Sequence, residues 1–221
     1  MIKIRGKLYG VGVGPGDPEL LTLKAVKTIC MSDVIACPAR GQTPGLAYRI
    51  AEQAIPEIKR KEKMLLSFPM KKSGLEQEHL KAAESIISQL DAGKNTAFLT
   101  LGDPGFYSTF QYISRIVTEK GYETEIISGV PSFCAVSAKL MVPLAEGSGS
   151  VLISPGELTD FSGTQVIMKA GSGLKTLKEK IRNNGKKAYL AENCGMEDER
   201  VYSDIEKMPD EAGYFSILIV K

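Results

Sequence analysis

A glycine-rich turn interrupted by prolines constrains the fold of this 221-residue chain more than any other feature. The turn runs from Gly10 to Pro18 and follows the apolar segment Lys7 to Val13, which predicts a buried strand. Asp17 is a predicted helix N-cap, Pro18 suits the first helical position, and Glu19 favours the positive end of that helix. A strand, a glycine turn and a helix in this order are typical of an α/β fold that holds a ligand at the end of the strand.

The spacing of this first turn excludes the two common phosphate-binding loops. In a G-x-G-x-x-G pattern counted from Gly10, the third glycine would be Pro15, and counted from Gly12 it would be Asp17. No Gly-Lys-Ser/Thr sequence follows, so a Walker-type loop is excluded as well. Phosphate cradles use backbone N–H groups, which prolines lack, and Asp17 adds a negative charge. The turn therefore predicts a flat, bulky or cationic ligand that the glycine backbone approaches closely.

Two further turns follow predicted strands in the same half of the chain. The second turn, Thr100 to Thr109, contains Gly102-Asp103-Pro104, and the third turn is Ser128 to Ser132. A carboxylate and carbonyl groups at a strand end are acceptors, which a cationic ligand with hydroxyl groups requires. Taken singly, each turn also fits a structural role, as a tight Asp-Pro-Gly turn or a helix cap. Three such turns at successive strand ends predict one ligand-binding rim.

The remaining pattern predicts an α/β protein of two lobes, 1–119 and 120–221, each with a mixed sheet and flanking helices and with the ligands in the cleft between them. Ser73 to Glu76 has the form of a capping box before a helix with an apolar stripe at Leu80, Ala83, Ile87 and Leu90. His79, the only histidine, is interpreted as a surface residue beside that stripe. Further predicted helices are Gly45 to Ala54, the segment with Phe106, Phe110, Ile113 and Val117 on one face, a helix capped by Ser132, and Leu174 to Arg182. Further predicted strands are Asp33 to Ala36, Thr96 to Leu101, Glu123 to Ile127, Ser150 to Ser154, Thr164 to Met168, Lys187 to Ala191 and Tyr214 to Val220.

Composition narrows the function classes. The net charge of +2 gives no support for a nucleic-acid surface, and the basic run Lys59 to Lys63 is interpreted as a solvated loop or helix end. Four cysteines without a Cys-x-x-Cys spacing, together with one histidine, predict no metal site. No stretch reaches the ~20 apolar residues that cross a bilayer, and no signal-peptide pattern opens the sequence. We therefore expect a reduced, cytoplasmic protein without a membrane or nucleic-acid partner.

These motifs resemble a known family. The segment Val11 to Thr22 resembles the opening signature of the tetrapyrrole methylases, the class III S-adenosylmethionine methyltransferases. Gly102-Asp103-Pro104 and the third turn are similar to their second and third signatures, although many relatives have Pro-Gly where this chain has Ser128-Gly129. The similarity continues through Val166 to Lys169 and Ala191 to Met196, so it covers nearly the whole chain.

Within the family, the second turn most resembles the subgroup that methylates C-20 of precorrin-2 or cobalt-factor II on the cobalamin pathway. Ser67 to Met70 and the helix from Glu76 to Leu90 are similar to that subgroup too. The resemblance implies a homodimer with S-adenosylmethionine as the cofactor and a tetrapyrrole as the substrate. Other readings stay open: methylation at C-11 or C-17, a uroporphyrinogen methylase, diphthine synthase, the ribosomal-RNA member of the fold, and a non-catalytic module that senses S-adenosylmethionine.

The resemblance also implies site residues. Carried over position by position, the residues expected around S-adenosylmethionine are Pro15, Gly102, Asp103, Phe106, Tyr107, Ser132, Met168 and Asn193. Because the tetrapyrrole carries a ring of carboxylates, Arg40, Arg49 and Lys169 are candidates for anchoring it. A base for the meso proton is not identified. Asp103 is the nearest carboxylate by motif, but cofactor binding is its expected role.

Overall fold

The computed structural model describes residues 5–68, 74–171 and 173–221. The chain divides into two compact units, Met1–Pro131 and Ser132–Lys221. Each unit has its own sheet with helices on both faces, and each is described by itself. The α/β class predicted from the sequence is confirmed in both units.

The first unit is built on a six-stranded, mostly parallel sheet. Its strands are β1 (Leu8–Gly12), β2 (Val34–Arg40), β3 (Thr43–Pro44), β4 (Glu62–Ser67), β5 (Thr96–Thr100) and β6 (Thr124–Ile127). The order is β3-β2-β5-β1-β6, with β4 paired to β2, and only β3 runs antiparallel. Since β1, β5 and β6 are neighbours and parallel, their carboxyl ends lie at the same edge of the sheet.

Four helices cover the two faces of this sheet: α1 (Leu23–Met31), α2 (Leu46–Ala54), α3 (Leu75–Asp91) and α4 (Phe110–Glu119). Side chains alternate across the strands, so Tyr9 and Val11 pack with α1 and α2, whereas Leu8 and Phe98 pack with α3 and α4. The strands are buried on both faces, which explains why they read as continuous apolar runs in the sequence.

The second unit has a five-stranded mixed sheet. Its strands are β7 (Val151–Pro155), β8 (Thr164–Met168), β9 (Ala188–Glu192), β10 (Arg200–Tyr202) and β11 (Ser216–Val220), in the order β10-β9-β11-β8-β7. Helix α5 (Ser132–Leu140) packs on one face and α6 (Leu174–Asn183) on the other. Because β11 is antiparallel to both β8 and β9, the carboxyl ends of β8 and β9 meet at the amino end of β11.

The boundary between the units differs from the prediction. Strand β6 pairs with β1, with Leu8 opposite Thr124, so the first unit extends to Pro131 rather than ending at 119. A parallel pairing between residues so far apart in sequence leaves no local signal.

Three predicted elements are corrected. A single 3-10 turn, Pro18–Leu20, follows Asp17, and α1 begins only after the Thr22 cap. Helix α4 begins at Phe110, so Phe106 lies in the turn before it. Ser132 is the first residue of α5 rather than its cap.

The interpretation of the basic run as a loop or helix end is confirmed for its first half, because Lys59 and Arg60 form the last turn of the 3-10 helix Pro56–Arg60. The second half differs. Glu62 and Lys63 open β4, whose charged start lies exposed, while Leu66 is buried. Charged residues on an outer strand are ordinary, because they discourage pairing with another chain.

The apolar stripe of α3 is rotated from the predicted one. Leu80 is 41% exposed, whereas His79 is 8% exposed. The His79 ring stacks on Tyr112 with centroids 4.9 Å apart and lies 5.7 Å from Phe68. Burial lowers the pKa of His79, and the charge of Glu76 acts in the opposite direction. The interpretation of His79 as a surface residue was wrong; Ser73 of the predicted capping box lies outside the described residues, as do Pro69 and Met70.

Candidate functional site

The first and second turns are joined through their backbones. Gly14 and Gly102 form an antiparallel bridge in which Gly102 N donates to Gly14 O over 2.7 Å and Gly14 N donates to Gly102 O over 3.3 Å. Both residues have a positive φ, 76° and 71°, a conformation that glycine adopts without steric cost. The pairing holds the two turns together beyond the ends of β1 and β5.

The third turn contacts the same point. A Cβ added to Gly12 would lie 2.6 Å from both Gly102 O and Gly129 N, and one added to Gly129 would lie 2.2 Å from Gly102 O. These positions have room only for glycine, because the three backbones pack directly on one another. The three turns predicted to form one rim are thus in contact.

Asp103 links the second turn to the third. Its Oδ1 accepts a hydrogen bond from Gly105 N over 2.7 Å, and its Oδ2 accepts one from Gly129 N over 3.0 Å. Charge-assisted hydrogen bonds of this kind are among the stronger ones in proteins. Each oxygen retains a further lone pair that can accept from a ligand. Asp103 therefore has a structural role that the sequence motif did not reveal.

Two of the predicted cofactor residues are displayed by the second turn. Phe106 is 40% exposed and Tyr107 is 51% exposed, and Tyr107 has a positive φ of 48°. The end of the turn is held by Ser108, whose Oγ accepts from Phe110 N over 3.1 Å and lies 3.2 Å from Thr100 Oγ1. The second turn is thus held by hydrogen bonds at its end and exposes the aromatic side chains of Phe106 and Tyr107.

The first turn is less accessible. Pro15 is buried. The Asp17 carboxylate accepts from Glu19 N over 2.8 Å and so caps the 3-10 turn. Thr22 Oγ1 donates to Ser128 O over 3.2 Å, which adds a contact between the first and third turns. Arg40, a predicted substrate contact, is exposed at the carboxyl end of β2, and Arg49 is exposed on α2.

The second unit contributes the residues at the ends of β8 and β9. Met168 ends β8, and Lys169 follows it with a positive φ of 57°. Asn193 follows β9 with a φ of 50°; its N donates to Phe215 O over 2.9 Å and its Nδ2 donates to Asp198 Oδ2 over 2.7 Å. Ser132 is half-buried at the start of α5.

Strained backbone coincides with the predicted site. Among the described residues, the non-glycine residues with positive φ are Tyr107, Met141, Lys169 and Asn193. Met141 directly follows α5, where such a conformation is common, but the other three are predicted ligand contacts. Backbone in this conformation is common at functional sites, so these three positions remain predictions that mutagenesis can test.

The described part of the chain shows no group of three or more His, Cys, Asp or Glu side chains that could hold a metal ion. All four cysteines are free, and burial raises the pKa of the Cys37 thiol to about 11. Within the same residues, no helix has both the length and the apolar character needed to cross a membrane.

The fold and the three joined turns define a class: α/β proteins that place a ligand against glycine backbone at the carboxyl edge of a parallel sheet. Similarity to known proteins identifies the family within this class. The chain belongs to the tetrapyrrole (corrin/porphyrin) methylases, whose family model matches residues 7–209.

Several curated relatives are similar over most of the chain. The probable cobalt-precorrin-2 C(20)-methyltransferase of Methanocaldococcus jannaschii is 33% identical, covering 100% of this chain and 98% of the relative. The precorrin-2 C(20)-methyltransferase of a Sinorhizobium species is 29% identical, covering 97% and 95%. The cobalamin biosynthesis protein CobIJ of Mycobacterium tuberculosis is 30% identical over 98% of this chain, which spans only 46% of that longer protein.

Solved structures share the fold. A cobalt precorrin-4 methyltransferase superimposes with a TM-score of 0.73 at 20% identity, covering 96% of this chain and 94% of the other. The uroporphyrin-III C-methyltransferase of Thermus thermophilus superimposes with a TM-score of 0.70 at 23% identity, covering 98% and 92%. The predicted tetrapyrrole methylase fold is therefore confirmed.

Proposed function

We propose that this chain is an S-adenosylmethionine-dependent methyltransferase that methylates C-20 of precorrin-2 or cobalt-factor II in cobalamin biosynthesis. The observation that carries the proposal is the junction of the three turns at Gly12, Gly102 and Gly129, braced by Asp103. Two relatives that align over at least 95% of their own length are named for this C-20 reaction.

The residues at the junction fit a cationic cofactor. Pro15 has no N–H group to offer a phosphate, and the Asp103 carboxylate places a negative charge beside the rim. A carboxylate with spare lone pairs attracts a sulfonium or an ammonium group. In the proposal, Pro15, Gly102, Asp103, Phe106 and Tyr107 of the first unit, and Ser132, Met168 and Asn193 of the second, bind S-adenosylmethionine.

In the proposed reaction, the main role of the protein is to orient the reactants, and acid or base catalysis is less important. When bound, the cofactor would supply a methyl group activated by a positively charged sulfur. The electron-rich meso carbon of the substrate would bond to this methyl group in line as the C–S bond breaks, S-adenosylhomocysteine would leave, and the meso carbon would then lose its proton. The protein residues hold the reactants in place, and orientation of this kind can lower the activation barrier by about 7–11 kcal/mol. Arg40 and Lys169 are the proposed anchors for the carboxylates of the substrate.

The test is to incubate the purified protein with S-adenosylmethionine and either metal-free precorrin-2 or cobalt-factor II. We expect mass spectrometry to show the addition of one methyl group, and NMR to locate it at C-20. The preferred substrate also shows whether the natural acceptor contains cobalt. A methyl group at C-11 or C-17, or cofactor binding without turnover of any tetrapyrrole, would overturn the C-20 assignment.

The assembly and location of the protein belong to the same proposal. We propose a cytoplasmic homodimer, as the family resemblance implies. Light scattering after size-exclusion chromatography measures the number of chains per particle, and cell fractionation measures the location.

A further inference from the structure

An aromatic pair lies beside two predicted ligand contacts of the second unit. Tyr214 and Phe215 immediately precede β11 and are 56% and 40% exposed. Their rings meet edge to face with centroids 5.2 Å apart. The sequence pattern predicts both residues as the start of a strand, but β11 begins only at Ser216.

The backbone of this pair is fastened to the strands on either side. Gly213 N donates to the buried Glu192 carboxylate over 2.9 Å, and Asn193 N donates to Phe215 O over 2.9 Å. A Cβ on Gly171 would lie 2.2 Å from Ala212 O, so the segment before Tyr214 packs directly on that glycine. The backbone at Tyr214 is therefore held in place by its neighbours, although the side chain is exposed.

The Lys169 ammonium lies over the Tyr214 ring, with Nζ 5.1 Å from the ring centroid. This separation is within the range of cation–π attraction. The ion pairs formed by residues 5–68, 74–171 and 173–221 do not include Lys169. Lys169 thus has an aromatic neighbour that orients its ammonium and, within the described part of the chain, no carboxylate at ion-pair distance.

We propose that Tyr214 is a positioning residue that holds the Lys169 ammonium ready for one carboxylate of the tetrapyrrole. The inference rests on the proposed function and deepens it, because it names a specificity contact of the same site. A lysine free in solvent must lose side-chain freedom to bind an anion, and a ring that orients the ammonium beforehand reduces this cost. Tyr214 then contributes to the affinity for the carboxylated substrate only when Lys169 is present.

The experiment measures the Kd for cobalt-factor II and for S-adenosylhomocysteine by calorimetry in single and double variants. We expect Lys169→Met to raise the Kd for cobalt-factor II about tenfold, the size of one charge-assisted contact. Tyr214→Leu should raise it about threefold, and Tyr214→Phe should retain most of the affinity because the ring face remains. Adding Tyr214→Leu to Lys169→Met should have no further effect, and the Kd for S-adenosylhomocysteine should stay constant.

Lys187→Met is the matched control, because Lys187 is an exposed lysine just before β9, outside the proposed site. The inference is overturned if Tyr214→Leu weakens cobalt-factor II binding equally with and without Lys169, or if the variants change the Kd for S-adenosylhomocysteine instead. It is also overturned if both variants bind cobalt-factor II as tightly as Lys187→Met does. Failure of the wild-type protein to bind any tetrapyrrole is a different outcome, which removes the proposed function itself.

Discussion

At the scale of single residues, Asp103 shows how a motif residue acquires a second role. Its two carboxylate oxygens accept from the N–H groups of Gly105 and Gly129, so the same side chain that is expected to face the cofactor also joins two turns. A residue of this kind affects ligand binding even where it does not touch the ligand.

We expect Asp103→Ala to abolish measurable cofactor binding and to lower the free energy of unfolding by about 2 kcal/mol, because two backbone donors lose a charged acceptor. Asp103→Asn should be intermediate, since an amide oxygen accepts from one donor while its NH2 group faces the other. Calorimetry gives both the affinity and the unfolding temperature. Asp160→Ala, at an exposed position, is the control. Wild-type affinity in Asp103→Ala would refute the role of Asp103 at the cofactor site.

His79 gives a prediction about pH. Burial lowers the pKa of His79 in the folded protein, so protons bind more readily to the unfolded chain. The stabilising contribution is therefore complete above the unfolded pKa of about 6.5 and is lost as the pH falls below it towards the lower folded value. His79→Phe keeps a ring against Tyr112 and removes the titration. In urea unfolding between pH 8 and pH 5, wild type should lose more stability than His79→Phe; parallel curves would contradict this.

At the scale of elements, the junction of the three turns depends on main chain rather than on side chains. Gly12, Gly102 and Gly129 approach so closely that an added methyl group meets backbone atoms within 3 Å at Gly12 and Gly129. Backbone cannot rotate away as a side chain does, so whole turns would have to move.

We expect Gly12→Ala to destabilise the protein by about 1–3 kcal/mol through overpacking and to weaken cofactor binding strongly. Gly185→Ala is the comparison, because its surroundings are open and only the positive φ of 62° opposes the change. That variant should cost about 1 kcal/mol and leave cofactor affinity unchanged. Chemical denaturation and calorimetric titration measure the two effects. Equal loss of affinity in both variants would show that the junction has no special role.

Elements with a strong local signal were predictable from the sequence. Strands β1 and β5 are continuous apolar runs that end in glycine turns, and β8 was predicted with its observed bounds. The strand β10 was missed because it has only three residues, none of them buried, and so gives no apolar pattern. The charged start of β4 was missed because its partner, β2, is distant in sequence. The burial of His79 was missed for the same reason, since Tyr112 comes from another helix.

At the scale of the whole molecule, the chain consists of two units with separate apolar cores. In each unit, one apolar cluster packs on each face of the sheet. The existence of two α/β parts followed from the change in pattern after Glu146, but the boundary did not, because the pairing of β6 with β1 is set by tertiary structure. The contact between the three turns of the first unit was predictable from motifs. Tyr214 was not, since no spacing in the sequence links it to Lys169.

The glycine junction has a consequence for the diversity of acceptors. Main-chain packing tolerates no side chain but is indifferent to the identity of most residues around it. The proposed binding site for the methyl donor can therefore stay constant while proposed substrate-contacting positions such as Arg40 and Tyr214 are exchanged. To redirect this fold to a different macrocycle, the three glycines should be kept, and only the surrounding basic and aromatic residues should be varied.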